Sequence, residues 1–187
     1  MPQLTIYRFN EALPPELECQ IRAFIRLTWY DAYAENPDLE APMLPPDDHP
    51  QHVVLAERHA LISHARLSWV QVDHAGERFK TYCLGDVFTY PAFRGKGYGR
   101  IVADAATALI REDGDADIAI LFCDPKLEEF YGQCGWSHVP DLTANIGEID
   151  ALEPHNHFAM MLLLSDKARR SQDAFRTQTI FLPGYDW

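Results

Sequence analysis

The sequence predicts a mixed α/β fold, one domain over residues 1–187, and three observations carry that expectation. Segments of period-two alternation or β-branched and aromatic composition interleave with segments whose apolar residues fall at helical spacing. Residues 117–123 (DIAILFC) form a continuous apolar run of strand length, the pattern of a strand buried on both faces. A strand also leads through a glycine-rich loop, Arg94 to Gly99, straight into a helix.

Residues 3–9 (QLTIYRF) alternate and read as a first strand. Pro14 and Pro15 introduce a helix whose apolar face is Leu17, Ile21, Phe24, Ile25, Thr28 and Trp29. Six acids (Asp31, Glu35, Asp38, Glu40, Asp47, Asp48) and no Lys or Arg follow up to Asp48, and residues 37–50 hold five prolines, so regular structure breaks there. Strands at 52–58 and 60–72 turn at Arg58-His59 into a hairpin, and Asp73 to Gly76 supplies turn chemistry before a long strand from Arg78 to Tyr90. That strand stops at Pro91, which cannot donate into a sheet ladder. Beyond the glycine loop, Ile101, Val102, Ala105, Ala108 and Leu109 mark a helix ended by Gly114. Asp124-Pro125 reads as a cap and first-turn proline of a helix that Gly135 closes. Residues 157–164 read as a core strand, 166–177 as a polar helix or loop and 179–182 as a last short strand.

Composition narrows the function. With 187 residues the chain can bury about 70% of its unfolded surface and needs no metal or disulfide staple. Its net charge of −12 opposes nonspecific phosphate-backbone binding, so nucleic acid is not an expected partner. The longest purely apolar run, Phe158 to Leu164, is too short to span a bilayer, and no opening stretch reads as a signal peptide. Four scattered cysteines without a C-x-x-C pair suit reduced thiols, so a cytoplasmic protein without membrane partners is expected. His155-x-His157 has metal-ligand spacing but no third ligand nearby, so no metal is expected.

The loop Arg94-Gly95-Lys96-Gly97-Tyr98-Gly99 is the most informative stretch. Its glycines permit a tight turn and close approach to a ligand, the following helix presents unpaired N–H groups to an anion, and Arg94 and Lys96 add charge for phosphate oxygens. A dinucleotide fingerprint would need glycine where Arg100 stands, and a P-loop would need Gly-Lys-Ser/Thr, which is absent.

The run Phe88-Thr89-Tyr90-Pro91-Ala92-Phe93-Arg94-Gly95-Lys96-Gly97-Tyr98-Gly99 resembles the acyl-CoA motif of the GCN5-related N-acetyltransferase (GNAT) superfamily, and ILFCDPKLEEFYGQCGW at Ile120 to Trp136 resembles a second motif of that family. The resemblance implies a central, mostly antiparallel twisted sheet flanked by helices, with a splayed central strand. It implies acetyl-CoA as cosubstrate and direct transfer of acetyl to a primary amine in a ternary complex. Val87, Phe88 and Thr89 would hold pantetheine, with the N–H of Val87 or Phe88 donating to the oxyanion. Residues Arg94, Gly95, Lys96, Gly97, Tyr98 and Gly99 would hold the pyrophosphate. Asp124 stands where the family often has Asn, and either touches the CoA arm or caps its helix. Tyr131 matches the family's general acid, its alternative being a core aromatic beside Phe130.

The base has no direct match, because the usual positions are Gly85 and Cys83; Asp86 is adjacent, and a β-bulge at Gly85 would restore its direction, making it the base directly or through water. His64, in a flanking strand, is a second candidate on the substrate side. The layout is also similar to the aminoglycoside 2'-N-acetyltransferases, in which the terminal tryptophan's carboxylate binds substrate; here that residue is Trp187. The acidic segment, with Asp31 and Glu35, follows the helix that walls the acceptor site in this fold, and suits a small cationic amine. Dimers are common in the family, so a homodimer is one assembly the resemblance allows. The competing reading is a non-catalytic acyl-CoA-binding regulatory module of the same fold.

Overall fold

A computed structural model describes residues 1–30, 46–148, 150–155 and 157–184. Strand β1 (Gln3–Tyr7) precedes helix α1 (Pro15–Thr28). Strands β2 (Gln51–Glu57), β3 (Ala60–His74) and β4 (Glu77–Thr89) form an antiparallel meander whose turns sit where the sequence places them, with Arg58 (φ 58°) and Ala75-Gly76 (φ 50° and 81°) in left-handed conformations. Helix α2 (Tyr98–Glu112) follows the glycine loop, and β5 (Ile118–Cys123) precedes the short helix α3 (Glu128–Gly132). Then come β6 (Ser137–His138), β7 (Ala144–Glu148), β8 (Ala151–Pro154), β9 (Phe158–Leu163), helices α4 (Asp166–Arg170) and α5 (Ala174–Thr177), and β10 (Ile180–Pro183).

Among the described residues, seven strands form one sheet in the order β1-β2-β3-β4-β5-β9-β6, antiparallel except for β4 and β5. A second sheet, β10-β7-β8, was not legible in the sequence beyond β10 itself, because β7 and β8 are short and β8 is exposed along its length. On one face of the main sheet α2 packs through Val102, Ala103, Ala106 and Ile110 against Val53, Leu55, Ala65, Leu84 and Leu121. The expected stripe thus turns by one position, and Ile101 points outward. On the other face α1 buries Leu17, Ile21, Phe24 and Ile25 against Val54, Leu61 and Phe88, while Thr28 and Trp29 lie exposed at its end. The second sheet covers the rest of that face through Phe79, Ile118, Ile120, Ile146 and Ile180.

Two irregularities open the sheet where it matters. Strands β4 and β5 pair only over Thr81–Cys83 and Ile118–Ile120, so beyond Cys83 they part, and main-chain groups of β4 that point toward β5 meet no strand. On the other edge of β4, His64 pairs with Phe88 and Arg66 with Gly85, so Asp86 and Val87 together oppose Ala65: a β-bulge. The bulge lies at Asp86, itself at φ 48°, and not at Gly85 as the sequence suggested. Its extra residue turns Phe88 onto the same face as Gly85, where it stacks on Phe24 with ring centroids 4.1 Å apart.

Candidate active site

The glycine loop adopts the conformation its composition calls for. Gly95 (φ 74°) and Gly97 (φ 79°) are both left-handed, and Gly97 caps α2 without any side-chain cap, so the first-turn N–H groups of Tyr98, Gly99 and Arg100 are left for a ligand. A Cβ on Gly99 would stand 3.1 Å from Thr89 Oγ1 and 3.9 Å from Phe130 Cζ, which shows how closely the end of β4, the start of α2 and α3 converge. Arg94 donates from Nε to the Thr89 carbonyl at 3.0 Å, and the Lys96 ammonium lies 5.8 Å over the Phe93 ring; both side chains are exposed. The end of β4 is held from the other side, since Ser63 Oγ donates to the Phe88 carbonyl at 2.7 Å and meets Thr89 Oγ1 at 2.8 Å. Asp124 accepts from the Lys126 N–H at 2.9 Å, so it caps the turn before α3.

Tyr131 lies in the core on the α2 face, edge-on to Phe130 with centroids 4.9 Å apart. Its hydroxyl has no hydrogen-bond partner among the described residues. Burial, followed by the neighbouring Cys123 and Cys134, pushes its phenol above the ordinary value, so it holds its proton.

The bulge is held by a set of polar groups on the α1 face. Asp86 Oδ2 accepts from Arg66 Nε at 2.6 Å, with the two side chains 18% and 5% exposed. Arg66 also donates to Ser68 Oγ at 3.2 Å, and its guanidinium fills the space beside Gly85, where a Cβ would stand 2.5 Å from Nη2. Burial alone would raise the Asp86 carboxyl; Arg66 foremost, then His64, outweighs it and holds the group below the usual carboxylate range.

His64 is fully buried, with Nδ1 2.9 Å from the Asp86 carbonyl and Nε2 3.0 Å from His52 Nδ1. Burial pulls His64 down to about 4 and His52 to about 3, so both rings are neutral near pH 7. A carbonyl only accepts, so His64 carries its proton on Nδ1, His52 donates to it from Nδ1, and His52 Nε2 keeps its lone pair.

These contacts sort the expected site residues. Val87, Phe88, Thr89, Gly95, Gly97, Gly99 and Tyr131 gather around the parting of β4 and β5, with Arg94 and Lys96 at its loop end. Asp86 stands at the bulge of the same strand, its carboxylate tied to Arg66. His64 does not face an acceptor: it is a buried strut under the Asp86 main chain with both ring nitrogens engaged. Asp31, Glu35 and Trp187 lie outside the described residues. Sequence reasoning missed His52, Ser63 and the pairing of Arg66 with Asp86, which become visible only once the register of three strands is known. Among the described residues no group of His, Cys, Asp or Glu is placed to hold a metal ion, and no helix is long and apolar enough to cross a membrane.

Comparison with known proteins agrees with this fold. Among solved structures the chain is similar to an acyl-CoA N-acyltransferase from Pseudomonas aeruginosa, with a TM-score of 0.57 and 18% identity over 86% of this chain and 99% of that one. It is similar to the GNAT family N-acetyltransferase YhbS from Escherichia coli in complex with CoA, with a TM-score of 0.57 and 14% identity over 97% and 90% of the two chains. A GNAT family acetyltransferase from Brucella melitensis in complex with acetyl-CoA gives a TM-score of 0.51 and 19% identity over 87% and 89%. At these identities the likeness is one of fold. No functionally curated protein matches the chain. The family model of the acetyltransferase (GNAT) domain matches residues 18–139, more than half of the chain, and the chain therefore belongs to the GNAT acetyltransferase family.

Proposed function

We propose that the protein is an acetyl-CoA-dependent N-acetyltransferase that moves the acetyl group directly to a primary amine. The observation that carries this reading is a coincidence of position: the uncapped glycine loop stands at the end of the very strand that parts from its neighbour. The loop and the first turn of α2 suit a pyrophosphate, with Arg94 and Lys96 adding charge. The opening between β4 and β5 suits an extended pantetheine arm, whose amides can bond the main-chain groups that β5 leaves unmet.

The chemistry follows from three proton and charge requirements. The acceptor sheds its ammonium proton to water, because only the neutral nitrogen has a lone pair; that nitrogen forms a bond to the thioester carbon, and the carbonyl oxygen gathers negative charge beside the N–H of Val87 or Phe88 at the bulge. The carbon–sulfur bond then breaks, and the thiolate takes a proton from the Tyr131 hydroxyl. The amine gives up its own proton to Asp86, directly or through water. The pull of Arg66 makes Asp86 a weak base, suited to the step after attack, when the nitrogen has become acidic. The acceptor is a small cationic amine; six acids and no Lys or Arg between Asp31 and Asp48 support that part of the reading. An aminosugar and a polyamine both fit the description.

Thiol release from acetyl-CoA across a panel of aminosugars, polyamines and arylalkylamines tests the proposal. Amine-dependent release is expected; acetyl-CoA binding with no release for any amine would favour a regulatory binding module instead.

A further inference from the structure

The amine must approach the gap from the α1 face, because α2 and α3, with Tyr131, occupy the other. On that face one wall of the gap is Asp86 and Phe88 on β4. The opposite wall is Phe122, which alternates with Leu121 and follows Ile118 and Ile120 onto the side covered by the second sheet.

Against Phe122 stands His155, edge to face, with ring centroids 4.4 Å apart at 81°. The main-chain N–H of His155 donates to the Ala144 carbonyl at 2.8 Å, which fixes the residue to β7, and the His157 ring lies 4.3 Å away. His155 Nε2 is buried and makes no hydrogen bond among the described residues. A buried ring nitrogen without a partner calls for an explanation, and a bound ligand that supplies the missing hydrogen bond is one. Among the described residues the other buried ring nitrogen without a partner, on His74, lies at the hairpin end of β3, where the ring stacks on Phe175. Burial, then His157, pulls the His155 ring down to about 4, so near pH 7 it offers a lone pair without a charge that would repel a cationic acceptor.

Resting on the N-acetyltransferase reading, we propose that His155 is an acceptor-binding residue, whose Nε2 accepts a hydrogen bond from the incoming amine and holds its lone pair toward the acyl carbon between Phe122 and Phe88. The sequence offers His155 only as half of a metal-like His-x-His pair; the structure gives it a place beside the gap and an unmet hydrogen bond.

Two measurements test this. In calorimetry, spermidine, tyramine and glucosamine are titrated into protein saturated with CoA; in steady state, the same amines are used with acetyl-CoA. His155→Ala is expected to weaken amine binding and lower kcat/KM for the amine at least about tenfold while leaving KM for acetyl-CoA within about twofold. His155→Gln, which restores an acceptor near Nε2, should recover part of the loss, and His157→Ala should behave as wild type. An unchanged amine Kd in His155→Ala, an equal loss of acetyl-CoA affinity, or absence of amine binding in the wild type would overturn the inference. Amine binding that depends on His155 without thiol release would uphold the inference and overturn the N-acetyltransferase reading, so the two fail separately.

Discussion

Strands of the main sheet part in two places, and the two openings differ in kind. Between β6 and β9, where pairing ends after two residues, a cleft of about 500 Å³ opens beside Arg111, Ser137, His138, Leu163, Arg169 and Arg176. It is roomy, basic and apolar-floored. Between β4 and β5 there come together a bulge with a left-handed aspartate, a buried ion pair, an uncapped helix start and a tyrosine without a hydrogen-bond partner among the described residues. In the first opening Arg169 donates to the carbonyls of Leu163 and Leu164, so the freed strand edge is already satisfied by the protein itself. In the second, Arg94 meets the Thr89 carbonyl at the end of β4, but the main-chain groups of β4 before it that point toward β5 have no strand opposite them. Unmet hydrogen bonds and strained backbone, rather than volume, mark the place where a substrate completes the structure.

The largest effect that would separate the two openings is catalytic. Tyr131→Phe should lower kcat by about 100-fold with little change in KM for acetyl-CoA, whereas the cleft variant Arg111→Gln/Arg176→Gln should leave both constants within about twofold. Unchanged turnover in Tyr131→Phe would remove the tyrosine from the reaction.

The next is a binding effect. Gly97→Val forces a β-branched residue to φ 79° at the cap of α2 and should weaken acetyl-CoA binding at least about tenfold in calorimetry. Wild-type affinity in this variant would detach the loop from CoA.

The third tests how the bulge is held. His64 and His52 ionise near 6.5 when unfolded but are held at about 4 and about 3 in the fold. Between pH 6.5 and 4 the unfolded chain therefore binds protons that the folded chain does not, so stability is full above 6.5 and falls as the pH drops, by up to about 1.4 kcal/mol per pH unit for each ring. Denaturant titrations at successive pH values should show that slope and should lose about half of it in His64→Asn; a flat profile would contradict the buried neutral pair.

The smallest effect concerns the acceptor. Neutralising Asp31, Glu35 and Asp38 together should raise the amine KM several-fold, less so at high salt, and leave KM for acetyl-CoA alone. A salt-independent change would mean that the segment does not act through its charge.

The glycine loop and the second motif were legible in the sequence because each is written contiguously. Phe88 to Gly99 and Ile120 to Trp136 each carry their strand, turn and helix in one stretch, and glycine, proline and aspartate mark the turns by their own backbone preferences. Asp124 as a cap, for instance, needed only its own neighbour. The polar cluster behind the bulge was not legible because it is assembled by register. His52 meets His64 and Arg66 meets Asp86 across strands, and a single extra residue at the bulge decides which face Phe88 and Asp86 serve. A period-two pattern cannot report its own interruption, so the bulge was placed on Gly85, the residue with the right composition, when the space beside Gly85 belongs to Arg66. Helix faces erred for a similar reason: Thr28 and Trp29 continue the apolar spacing of α1 past the point where the sheet beneath it ends.

The central claim is that the opening between β4 and β5 receives the acyl donor, and hydrogen exchange with and without acetyl-CoA tests it most directly. Bound acetyl-CoA should slow exchange at the amides of Val87 to Thr89 and Gly95 to Ile101 and leave Ser137 to Val139 and Leu163 to Arg176 unchanged. Protection confined to the arginine-lined cleft, with the glycine loop unaffected, would contradict it.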